Sequence, residues 1–107
     1  MAPSEPDLLD GLPGEELIRQ GIADARRGIE SVPALLVATG APRLAGSLGE
    51  LGVAETLVRP ELRLYRLLQH DHGPEAYAQY NALLRRLTSF CRALEMRRRA
   101  RSPAREP

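Results

Sequence analysis

The chain contains no lysine and no tryptophan, and among its 107 residues it has one cysteine, one phenylalanine and three tyrosines. One cysteine excludes an intrachain disulfide. Because Met1 is followed by an acidic, proline-containing stretch and not by a basic start and an apolar run, export is not expected and a reducing cytoplasm is. The longest apolar run, residues 32–38, falls far short of the roughly 20 residues that span a bilayer, so no membrane partner is expected. With so few aromatic rings, a stacking platform for single-stranded nucleic acid is excluded. Strand-favouring β-branched residues are sparse, which argues for little or no sheet. A formal net charge of +1 excludes the uniform positive field of a dedicated DNA-binding domain. That all 15 basic residues are arginine fits a high-GC coding bias and carries no functional reading.

Leucine (18) and alanine (14) dominate what is present, and a chain of this length builds one domain. The strongest pattern lies over residues 74–99, which have no glycine and, after Pro74, no proline. Tyr77, Tyr80, Leu84, Leu87, Cys91 and Leu94 recur there at alternating steps of three and four, the signature of a helix with an apolar seam. At 1.5 Å per residue this helix runs roughly 39 Å, whereas a compact domain of this size has a radius of gyration of about 13 Å. Such a rod needs partners along its length. Ala76, Leu83 and Phe90 widen the stripe beyond a two-stranded seam, and Gln79, Arg86, Ser89 and Arg92 form the wet side. The expected fold is therefore an all-α bundle of four to five helices around a long C-terminal helix, completed as a homodimer through the six seam residues.

Upstream, residues 1–12 read as a flexible acidic arm in which Leu8, Leu9 and Leu12 tuck against the body, residues 13–99 as the helical domain, and residues 100–107 as a flexible basic tail. The first helix follows Pro13, with Glu15 and Glu16 at its positive end and a stripe of Ile18, Ile22, Ala25 and Ile29. Ser31 caps a second, wholly apolar and hence buried helix that ends at Gly40. Pro42 starts a third, carrying Leu44 and Leu48, that stops at Gly49. A connector over residues 49–59 is anchored by Val53, Leu57 and Val58, with a brief extended segment tolerated from Glu55 to Arg59. Pro60 opens a fourth helix, which presents Leu62, Leu64, Tyr65, Leu67 and Leu68 and runs to Gln69 before Gly73 and Pro74 break it.

Charge is unevenly spread. Glu5, Asp7, Asp10, Glu15 and Glu16 precede the first arginine, while Arg97, Arg98, Arg99, Arg101 and Arg105 crowd the other end, so the termini are electrically complementary. The same tail, through Arg97, Arg98, Arg99 and Arg101, is a candidate contact for nucleic-acid phosphates. A solvated helix end with cations at its negative pole is the plainer reading.

Three further constellations carry possible chemistry. His70, Asp71, His72 and Glu75 gather metal-ligating types at a helix junction, where a solvated turn is the plainer reading. Residues 36–48 have the outline of a helix-turn-helix, yet only Arg43 and Ser47 of the second helix offer polar contacts to bases, which favours a buried helical hairpin. Arg66 and His72, with five residues between them, resemble the Arg-x(4-6)-His motif of HEPN-type ribonucleases. That resemblance implies a dimer in which Arg66 stabilises phosphate charge and His72 moves protons; a helix-surface arginine followed by a loop histidine is the alternative. Cys91 reads as a small buried seam residue, although a two-fold axis near it brings two thiols together. The leading expectation is a non-enzymatic helical module that recognises itself or a second protein, with no cofactor and no metal.

Overall fold

In a computed structural model, residues 7–101 are described, and among them the chain is all helical with no strand. The elements are α1 (Glu15–Arg26), α2 (Val32–Thr39), α3 (Ala41–Leu48), α4 (Pro60–His72), a 3-10 turn (Gly73–Glu75) and α5 (Ala76–Arg101). No described helix is long and apolar enough to cross a membrane.

The helix ends follow from local chemistry. Gly28, with φ of 73°, closes α1: its amide donates to Ala25 O (3.2 Å) and the Ile29 amide to Asp24 O (2.9 Å), the paired bonds of a Schellman ending. Ile29 therefore falls outside the helix and stands exposed, not at the end of the buried stripe. Ser31 accepts the Ala34 amide at 3.2 Å and donates its hydroxyl to Asp24 Oδ2 at 2.8 Å, so the cap of α2 also ties α2 to α1.

Helix α2 is the hub. Ala34, Leu35, Leu36 and Val37 are all buried, and α1, α3, α4 and α5 pack against the helix they belong to. The close approach of α1 depends on Gly21, where a Cβ would stand 2.3 Å from the Pro33 carbonyl oxygen and 2.5 Å from Val37 Cγ2.

Several expected features are corrected. The connector over residues 49–59 holds no extended strand: Glu55 and Thr56 form a turn, and Arg59 takes a left-handed conformation (φ 49°) before Pro60. The connector is hooked to the end of α1 by Arg26 Nε donating to Leu51 O (2.7 Å) and by the Ala54 amide donating to Ala25 O (2.9 Å). Leu51 and Leu57 anchor it in the core, but Val58 is 53% exposed. Helix α4 runs past Gln69 to His72, and Pro74 and Glu75 belong to the 3-10 turn, so the long helix starts at Ala76 and extends to Arg101. In the stretch expected as an arm over residues 1–12, Leu9 and Leu12 lie in the core and Leu8 packs against it, as their expected tuck against the body requires. The first six residues of that stretch, and residues 102–107 of the expected tail, lie outside the described residues.

Rod-like character persists in the whole molecule, which measures 51 × 26 × 25 Å with a radius of gyration of 15.1 Å, above the roughly 13 Å of a compact chain of this length.

Candidate interaction surface on helices 4 and 5

The buried face of α5 takes in both the seam read in the sequence and its flank: Ala76, Leu87, Phe90, Cys91 and Leu94 are buried, with Tyr80, Leu83 and Leu84 half-buried among them. Of the six seam residues, Leu87, Cys91 and Leu94 are thus core residues of the single chain, and their assignment to an interface between chains is corrected. The α2–α3 corner at Gly40 covers Leu87 so closely that a Cβ there would approach Leu87 Cδ2 to 2.8 Å. Cys91 is 2% exposed, and burial pushes its thiol pKa up, so it is a neutral packing residue and not a thiol that reaches a second copy.

Tyr77 is 66% exposed and stands outside that core, while Tyr80 and Leu84 are half-buried against it. Across from them α4 contributes Leu62, 41% exposed, and Tyr65, whose ring meets Tyr80 edge to face at 5.5 Å and 84°. Glu61, Leu62, Tyr65, Tyr77 and Tyr80 line an open groove of about 480 Å³. Leu62 and Tyr65 were read as part of one core face of α4. The signal that separates them is the width of that face. Leu64 and Leu68, four apart, are fully buried, and Leu62 lies about 160° around the helix from Leu64, an arc that one packed neighbour does not cover.

The expected attraction between the chain ends takes a specific form. Arg97 turns inward and donates to the carbonyl oxygens of Leu8 (3.0 Å) and Asp10, clamping the N-terminal turn to α5. Its guanidinium is engaged by the chain itself and is withdrawn as a nucleic-acid contact. Arg98, Arg99 and Arg101 are exposed on the last turns. A groove of about 370 Å³ between the N-terminal turn, α1 and the connector is lined by Asp7, Arg19, Arg26 and Glu50 together with apolar side chains. Arg19 there pairs with Asp7 (2.8 Å), Asp10 (3.2 Å) and Glu15 (2.7 Å). The Leu9 amide and Arg19 hold the Asp7 carboxyl below its usual pKa, and Arg19 with the Gly11 amide does the same for Glu15.

A carboxylate with a depressed native pKa contributes stability above its unfolded pKa and loses it as pH falls through the native one. The N-terminal turn is therefore expected to loosen as pH drops below roughly 4, the ordinary carboxylate range. Amide exchange at Leu9 and Leu12 should accelerate there before that of α2; simultaneous loss in both would contradict this role for Arg19.

The other constellations do not assemble. His70, Asp71, His72 and Glu75 are all exposed, with one His70 Nδ1–Asp71 Oδ1 contact at 3.3 Å, and no group of three or more His, Cys, Asp or Glu residues among those described is placed to hold a metal ion. Arg66 and His72 are both exposed on α4, where six residues of separation turn them about 120° apart, so one chain does not converge them on a common point. In the α2–α3 hairpin, Arg43 makes a two-pronged bond to Glu95 of α5 (2.7 and 2.9 Å) and Ser47 is buried, which removes both side chains that a DNA reader would need. Comparison with known proteins found no matching family model, no matching curated protein and no matching solved structure.

Proposed function

We propose that the protein is a small non-enzymatic helical interaction module of the cytoplasm that pairs with a second copy of itself through the α4–α5 face. The observation that carries the reading is the cluster of Leu62, Tyr65, Tyr77 and Tyr80, which the chain leaves partly or largely uncovered although its own core is complete without the exposed members. Tyrosine suits this position because it offers a large apolar ring with few rotatable bonds and a polar tip that tolerates water in the free chain. A two-fold arrangement uses the same patch on both copies, so each aromatic side chain contributes twice. Glu61 beside the groove supplies part of a polar rim.

Leu62→Glu and Tyr77→Glu place a charge in the patch without touching the core, since both side chains are exposed in the single chain. Each is expected to weaken self-association by at least about 30-fold, equivalent to the ~2 kcal/mol of an interface hot spot, with helix content unchanged. Sedimentation equilibrium of the variants beside the parent measures it. An unchanged dissociation constant would exclude this face, and a second protein bound at the same patch is the alternative occupant.

A further inference from the structure

A different face of α5 carries its own chemistry. Seven of the 15 arginines lie on this helix with a single carboxylate, Glu95, whereas the other seven described arginines share the rest of the body with eleven carboxylates. Glu95 is held by Arg43. Arg85, Arg86, Arg92, Arg98 and Arg99 are exposed and make no salt bridge among the described residues.

Their spacing is ordered. Arg85, Arg92 and Arg99 recur every seven residues along one line of the helix, spanning roughly 21 Å, a little over half a turn of duplex. Ser89, between Arg85 and Arg92, is small and exposed, and Met96 stands between Arg92 and Arg99. Beside this line, Asn81, Thr88 and Ser89 join Arg85 and Arg92 around a shallow groove of about 440 Å³ with Leu84 at one side, adding neutral hydrogen-bonding groups. Glu95, three residues from Arg92 and four from Arg99, is the single acidic side chain near this line, and both its carboxylate oxygens are taken by Arg43.

We infer that the outer face of α5 binds the phosphate backbone of double-stranded nucleic acid, without reading sequence, through Arg85, Arg92 and Arg99. The face carries no aromatic ring on which a single strand would stack. Met96 is its one large apolar side chain, too little to anchor a helix in a lipid surface. Charge separation between α5 and the acidic remainder orients the molecule toward a polyanion. This face adjoins the α4–α5 aromatic patch at Leu84, but none of Arg85, Arg92 and Arg99 lines the aromatic groove, so Tyr77→Glu leaves them unchanged.

Fluorescence anisotropy of labelled DNA and RNA duplexes of arbitrary sequence, titrated with the full chain at rising salt, tests this. Binding is expected in the micromolar range or weaker at physiological salt, tightening as salt is lowered. Replacing Arg85, Arg92 and Arg99 by alanine together should weaken binding at low salt by at least tenfold and reduce the magnitude of the log–log salt slope by about 2.7, the contribution of three phosphate contacts. Arg27→Ala, on the surface at the end of α1, should leave the slope unchanged. Repeating the titration with Tyr77→Glu separates this result from pairing, because duplex binding should survive it. An unaltered slope in the triple variant, tighter binding to single strands than to either duplex, or binding to phosphatidylserine vesicles in preference to duplex would each overturn the inference.

Discussion

Replacing Phe90 by alanine is expected to destabilise the fold by about 3–5 kcal/mol, a large share of the roughly 5–15 kcal/mol that holds a domain of this kind together. Phe90 is the chain's one phenylalanine and is completely buried in the middle of α5. Helix α5 packs along its length against α2, α3 and α4, and a void in a core shared by several helices closes poorly. Guanidinium unfolding followed by far-ultraviolet circular dichroism gives the difference directly. A loss below about 1 kcal/mol would show that α5 is not packed at this point.

Gly21→Val is expected to cost about 3 kcal/mol for a different reason. The new Cβ would meet a backbone carbonyl oxygen, that of Pro33, at 2.3 Å, and a backbone atom cannot rotate out of the way as a side chain can. Relief requires α1 to withdraw from α2, which uncovers Ile18 and Ala25 on one side and Leu35 and Val37 on the other. Gly46 provides the contrast. It is also a mid-helix glycine, but a Cβ built there meets nothing within 4 Å, so Gly46→Ala should stabilise α3 by up to about 1 kcal/mol through helix propensity alone. The two substitutions have opposite expected signs, and finding the same sign for both would contradict the packing described for α1 and α2.

What could be read from the sequence was mainly punctuation. Ser31, Gly40, Pro60 and Gly73 mark helix boundaries because each acts through its own backbone or side-chain chemistry, which depends little on tertiary context. The apolar character of α2 likewise announced a helix with neighbours on every side. Faces were harder. On α5 the seam and its flank share the stripe, and periodicity alone could not tell Ala76, which is buried, from its neighbour Tyr77, which points out. Helix α4 carries five large apolar residues around more than half its circumference, so periodicity alone could not tell Leu64 and Leu68 from Leu62 and Tyr65. Long-range polar contacts were least visible. Nothing local links Arg97 to the carbonyl oxygens of Leu8 and Asp10, or Arg43 to Glu95, because those pairs form only once the helices have docked.

The wider buried face of α5 also changes what self-association would do. With Leu87, Phe90, Cys91 and Leu94 already covered within one chain, pairing is an addition to a finished fold and not a condition for it. A dimer whose monomer is folded dissociates on dilution without unfolding, unlike an obligate dimer.

The molar mass of the parent chain across a range of concentrations, recorded together with its helix content, bears most directly on this account. A helical monomer of 11.8 kDa at high dilution should convert to a particle of twice that mass as concentration rises. A monomer that persists at every concentration, or a chain that loses its helices when diluted, would contradict it.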